Sequence, residues 1–176
     1  MVSEGIGLEA FNALPDAAAR SALTACCAAP GWVDRLVRAR PFTGTEQLYD
    51  ESAAAFADLD DAQLAAALAA HPRIGEVPAP TPGGADDVRV EDWSRREQAG
   101  VGGASAATRA ALAEGNRAYE ERFGHVYLVA AAGRSADELL ALLHTRLTND
   151  AATERDVVRT ELSAITAARL ARMIGR

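Results

Sequence analysis

Along most of the chain, apolar residues return every three or four positions, the period of a helix that buries one face. No window alternates apolar and β-branched residues with polar ones, as a half-buried strand does. Short breaks rich in proline and glycine separate the amphipathic stretches. The spacing predicts helices over residues 8–14, 15–26, 31–39, 45–57, 60–70, 93–101, 105–123, 136–148 and 151–174. The expected architecture is all-α: one domain over residues 1–176, a multi-helix bundle of about eight or nine helices. Asp60 and Asp150 stand where N-caps belong, and Gly124 and Gly175 where helices should stop. In the last stretch Val157, Leu162, Ile165, Arg169, Leu170 and Met173 form a stripe that reads as core.

Two segments depart from this pattern. Residues 75–90, GEVPAPTPGGADDVRV, hold three prolines and three glycines without apolar periodicity, so a flexible loop is expected there. Residues 123–131, FGHVYLVAA, leave a polar helix through a glycine and enter a short apolar run. This run is either a plain helix–loop–helix junction or a buried extended segment. In the second case its backbone N–H and C=O groups need partners, and a bound polar ligand is one way to supply them.

With 49% hydrophobic and 24% charged residues in 176, the composition is that of a globular protein. A net charge of −7 and a pI near 5.0 leave no overall field to attract phosphate backbones, which disfavours generic nucleic-acid binding. All 18 basic residues are arginine, a bias that carries no chemistry of its own. No run of 18 apolar residues is present, so no membrane span is expected. MVSEGIGLEAF lacks a basic leader and MIGR is no targeting tripeptide, so the expected location is cytoplasmic. Cys26 and Cys27 are adjacent and rarely able to bridge, which fits a reducing compartment.

Candidate chemistry lies on either side of the long break. His71 follows a helix that Pro72 stops, and the partial negative charge at a helix C-terminus favours imidazolium. Its ring is either a proton donor and acceptor near neutral pH or merely a cap on the last carbonyls. Ser94, Glu97 and Gln98 share one helix face, which suits a small ligand rich in carbonyl and N–H groups. Ser94 and Glu97 also match a capping box, which leaves Gln98 unexplained. Arg146, Asn149 and Glu154 read either as ligand groups or as a polar network joining helices. His125 and His144 lack neighbours at zinc spacing, and no phosphate-binding glycine motif or nucleophile elbow occurs.

Taken together, HPRIG, W-S-x-x-E-Q-A-G, Y-E-x-R-F-G-H-V, G-R-S, R-L-x-N-D and E-L-x-x-I-x-x-x-R-L resemble the OHCU decarboxylase family of uric acid breakdown over essentially the whole chain. OHCU is 2-oxo-4-hydroxy-4-carboxy-5-ureidoimidazoline. The resemblance, of the bacterial type, implies a homodimeric carboxy-lyase without cofactor or metal that converts OHCU to (S)-allantoin and CO2. It implies that His71 transfers the proton, with Glu97 as its partner carboxylate. It further implies substrate contacts at Pro72, Ser94, Gln98, the segment His125, Val126, Tyr127 and Val129, and Arg169, with Arg146 the second choice for the ligand arginine. Vertebrate-type members read FGFPF where this chain has Phe123 to Tyr127, which puts the side-chain role of His125 in question. Two other functions fit the same residues: a lyase or hydrolase acting on another ureido or hydantoin compound, and a non-catalytic helical binding protein. His71, Glu97 and Gln98 together argue against the latter, since a scaffold needs only the apolar stripes.

Overall fold

The computed structural model describes residues 5–75 and 93–175. Helices α1 (Leu8–Ala13), α2 (Asp16–Cys26), α3 (Pro30–Ala39), α4 (Thr45–Ala57) and α5 (Asp61–Ala69) come first. Then follow α6 (93–97), a 3-10 turn (Ala99–Val101), α7 (Ala106–Phe123), α8 (Ala136–Arg146) and α9 (Ala151–Met173). Among the described residues there is no strand, as the 3.6-residue period predicts. The expected flexible loop, apart from Gly75, lies outside the described residues.

Local sequence sets the helix ends. Asp60 accepts from the Gln63 N–H at 2.8 Å and Asp150 from the Thr153 N–H at 2.8 Å, so both act as the expected N-caps. Gly124 takes φ +78° and donates to the Glu120 carbonyl at 2.8 Å, which closes α7 in a conformation that a side chain disfavours. The expected helix over 93–101 is instead two pieces. It ends at 97 because the glycines at 100, 102 and 103 are poor helix formers. A Cβ on Gly100 would lie 2.0 Å from the Arg134 carbonyl oxygen, so this backbone also passes too close to its neighbour to carry a side chain.

The chain forms two compact units. The first runs through residue 67 and takes up the chain again from 163. There α3 packs on α2 and α4. Trp32 is fully buried, donates to the Ser52 hydroxyl at 3.0 Å and lies against the Phe56 ring. Asn12 grips both the N–H and the carbonyl of Phe42, at 2.9 and 2.8 Å. Arg40 donates to the Phe11 and Leu14 carbonyls at the end of α1. In this half of α9, Ile165, Leu170 and Met173 are buried as the stripe predicts; earlier in the helix Val158, rather than Val157, takes the fully buried place.

The second unit runs from 68 to 162. Its core gathers Ile74, Val101, Leu112, Tyr119, Tyr127, Val129, Leu139 and Leu143. Helices α7 and α8 approach closely at Gly115, where a Cβ would lie 2.5 Å from a methyl of Leu143. One ion pair sits within this core. Arg146, at the end of α8, donates to Glu154 near the start of α9 through Nε and Nη2, at 2.8 and 2.6 Å. The same guanidinium donates to the Leu128 carbonyl at 2.5 Å and lies over the Tyr127 ring, 4.9 Å from its centroid. Tyr119 from α7 donates to Glu154, and Asn149 holds the other carboxylate oxygen at 2.8 Å. Arg146 is 5% exposed and Glu154 fully buried, so each supplies the counter-charge that water cannot give the other. Burial is the largest single influence and opposes the Arg146 charge, but the hydrogen bond to Glu154 and the attraction of Tyr119, Glu154 and Tyr127 together outweigh it and raise its pKa. Of the two readings that the sequence leaves for Arg146, Asn149 and Glu154, this is the helix-joining network.

Removing one partner leaves an uncompensated buried charge. Arg146→Ala is expected to cost about 3–5 kcal/mol in chemical denaturation. The double variant Arg146→Met, Glu154→Leu removes both charges and is expected to cost less than the single one. A single variant that loses under about 1 kcal/mol would contradict this reading of the pair.

Candidate active site

Helix α5 ends at Ala69 because Pro72 has no N–H to continue it and restricts the residue before it. The backbone N–H of His71 donates to the Leu68 carbonyl at 3.0 Å, and the residue is 8% exposed. The imidazole is thus buried just past the C-terminal end of a helix.

The turn 71–75 is held by side chains from elsewhere in the unit. Gln98 accepts from the Gly75 N–H at 2.9 Å and donates to the Arg73 carbonyl at 3.3 Å. Asn116 on α7 donates to the Ile74 carbonyl at 2.8 Å. One turn further along α7, Glu120 receives Arg73 through two bonds, at 2.6 and 2.7 Å. The Arg73 hydrogen bonds hold the Glu120 carboxyl below its ordinary value of 4.5, against a small opposing effect of burial.

In α6, Trp93 and Ser94 are buried and Glu97 is half-buried, as is Gln98 just after it. Ser94 lies inside the helix, after its first residue, and its hydroxyl takes no backbone N–H among the described residues, so it is not an N-cap. The capping-box explanation of Ser94 and Glu97 is therefore corrected: a box of that type closes α8 instead, through Ser135 and Glu138. At 3% exposure, the Ser94 hydroxyl has no hydrogen-bond partner among the described residues. A buried hydroxyl left in this state is available to a ligand. Gln98, expected to face the ligand, has both ends of its amide on backbone in this structure.

The run after Gly124 is the buried extended segment of the two alternatives, although it pairs with no strand among the described residues. Its backbone partners are side chains: Arg146 on the Leu128 carbonyl, and Glu161 accepting from the Ala130 N–H at 2.8 Å. Tyr127 and Val129 point into the core, and the Tyr127 hydroxyl donates to the Leu139 carbonyl at 3.1 Å. Burial pushes this phenol up to about 12, against the pull of Arg146. His125 lies edge-on to Tyr119 at 5.5 Å and stacks with Phe123 at 6.4 Å, its Nδ1 3.1 Å from the Val126 carbonyl. Val126 is half-buried.

Arg169 belongs to the first unit, where it is 3% exposed and shares its surroundings with the Cys27 thiol. Burial raises that thiol, and Arg169 and Thr166 only partly offset the rise. Among the described residues no cluster of His, Cys, Asp and Glu can hold a metal ion. No helix there is long and apolar enough to cross a membrane.

Sequence reasoning missed Arg73, Asn116 and Glu120. The available signal was polar: Asn116 and Glu120 fall with Tyr119 and Phe123 at i, i+4, i+3 and i+7 on α7, an amide and a carboxylate on an otherwise aromatic stripe.

A family model described as OHCU decarboxylase matches residues 12–171. Over 152 residues the chain is 28% identical to the uric acid degradation bifunctional protein TTL of Arabidopsis thaliana, covering 84% of this chain and 45% of that one. It thus spans less than half the length of that curated relative. A solved OHCU decarboxylase crystallised in the presence of (S)-allantoin matches with a TM-score of 0.71 and 25% identity, over 89% of this chain and 99% of that one. A solved (S)-allantoin synthase shares the fold at a TM-score of 0.69 and 16% identity, over 95% of this chain and 54% of that one.

Because Arg73 lowers the Glu120 pKa, the stability this pair adds is fully present above the ordinary carboxylate value and is lost as pH falls through the lowered one. NMR titration is expected to find Glu120 below 4.5 and to see it return towards that value in Arg73→Ala. An unchanged Glu120 titration in the variant would remove the ion pair as the cause.

Proposed function

Since the chain belongs to the OHCU decarboxylase family, we propose that it converts OHCU to (S)-allantoin and CO2. The observation that carries this reading is the junction of α6 with the turn 71–75, made by Gln98 on the Arg73 carbonyl and the Gly75 N–H. It joins the HPRIG and SxxEQ motifs, which lie on opposite sides of the long break in the sequence. The unpartnered Ser94 hydroxyl supports a polar ligand there.

The chemistry needs little beyond what these residues supply. As CO2 leaves the carboxylate, the electrons of the broken C–C bond form a carbon–carbon double bond that keeps the hydroxyl, and the imine pair moves to its nitrogen, which takes up a proton from solvent. This enol returns to a carbonyl by losing the hydroxyl proton and gaining one at the adjacent carbon, the stereocentre of allantoin. His71 delivers that proton to one face, and Glu97 binds the hydroxyl and supports the imidazolium; such transfer contributes on the order of 10² to 10⁴ in rate. Ser94, Pro72 and Gln98 contact the ring, with Gln98 exchanging a backbone partner for the ligand. The stretch His125 to Val129 offers mainly backbone groups, since Tyr127 and Val129 spend their side chains in the core. Arg169 enters this reading from the family resemblance alone, as an arginine whose fork of donors suits a ureido or ring carbonyl. A tight grip on the departing carboxylate would stabilise the ground state and slow the reaction.

The same reading takes the protein to be a homodimer acting in the cytoplasm without cofactor. The buried thiols of Cys26 and Cys27, neither of them in a disulfide, suit a reducing compartment. Light scattering is expected to give twice 18.4 kDa, and the monomer mass at micromolar concentration would contradict the dimer.

OHCU decays unaided to racemic allantoin, so speed and handedness together report the enzyme. With OHCU made freshly from urate, the wild type is expected to give optically active product, whereas His71→Gln gives none beyond the spontaneous rate while remaining helical. Glu97→Gln is expected to lose most activity, because it keeps the shape and deletes the charge. A His71→Gln variant that yields pure (S)-allantoin near the wild-type rate would remove His71 from the mechanism.

A further inference from the structure

The turn that carries His71 has no regular structure of its own, and its course is set by three anchors. Gln98 holds the Arg73 carbonyl and the Gly75 N–H, Asn116 holds the Ile74 carbonyl, and Glu120 holds the Arg73 side chain. Two of these anchors lie one turn apart on α7, a helix of 18 residues. Asn116 is 2% exposed, so the carbonyl it binds is fixed inside the core. The Arg73 and Glu120 side chains are 43% and 24% exposed.

An ion pair this open to water adds little to stability. A planar guanidinium that meets both oxygens of one carboxylate, however, fixes direction as well as distance. What it fixes here is the main chain two residues from His71. Resting on the decarboxylase reading above, we infer that Arg73, Glu120 and Asn116 are positioning residues for His71. They touch no substrate and act through the imidazole, setting the direction from which it meets the reacting carbon. A proton donor that drifts from that line leaves the intermediate to be protonated by solvent on either face, so both rate and handedness decline.

The test uses Glu120→Gln and Arg73→Lys, which keep side-chain size and leave the buried Asn116 in place. Steady-state rates and product optical purity are measured with fresh OHCU, alongside thermal unfolding. The His71 ring signals are followed by NMR without substrate. The expected result is a kcat lower by about 10- to 100-fold with KM within about twofold. Optical purity falls, the melting temperature barely moves, and the His71 signals shift or broaden. The reversed pair Arg73→Glu, Glu120→Arg is expected to recover part of kcat and of the His71 signal positions. Wild-type kcat, optical purity and His71 signals in both single variants would overturn the inference, as would a loss of rate that only follows a loss of helicity. If the wild type itself fails to accelerate the reaction, the decarboxylase reading fails. The His71 signals then decide alone: movement in the variants supports positioning, and its absence overturns it.

Discussion

A guanidinium buried in a protein core keeps its charge, and the fold around it has to supply the counter-charge and the acceptors that water would have given. In the second unit this demand is met by Glu154, the Tyr119 hydroxyl and the Leu128 carbonyl, so three helices and one extended segment are tied to the orientation of Arg146. The extended segment depends on this most directly. It has no strand partner among the described residues, and Arg146 and Glu161 stand in for the ladder that a sheet would provide.

The same device recurs at three other places where the chain leaves helix. Asn12 holds both backbone groups of Phe42, Arg40 collects the carbonyls at the end of α1, and Gln98 holds the Arg73 carbonyl and Gly75 N–H in the turn that carries His71. Each is a long-range bond from a side chain to backbone, which orders an irregular segment without adding a secondary element. A functional group on such a turn is held by rigid helices even though it sits in none of them.

His125, where the chain departs from the FGFPF pattern, finds an explanation in packing. Its ring stacks with Phe123 and lies edge-on to Tyr119, as an aromatic ring does. The slot asks for a flat ring, and imidazole supplies one. Tyr127 in turn is a core residue under Arg146, which leaves the backbone as what this stretch presents to a ligand.

What the sequence determined on its own is the part governed by interactions within about four residues. The 3.6-residue period, the caps at Asp60 and Asp150 and the stop at Gly124 set the helices to within a residue or two over most of the chain, because each depends on a neighbour within one turn. The one misjudged helix, over 93–101, breaks beside the Gly100 backbone that lies against Arg134, a contact that spacing does not encode. The identity of the candidate site was legible as motifs, but its wiring was not. Ser94 looked like a cap and is an unpartnered hydroxyl inside a helix; Gln98 looked like a ligand group and clasps backbone 23 residues away. Arg73 finds Glu120 at a separation of 47 residues. Such pairs exist only once the helices have packed, because a side chain's partner is decided by which surfaces the core brings together, and that choice is made by the whole apolar pattern at once rather than by any local stretch of it.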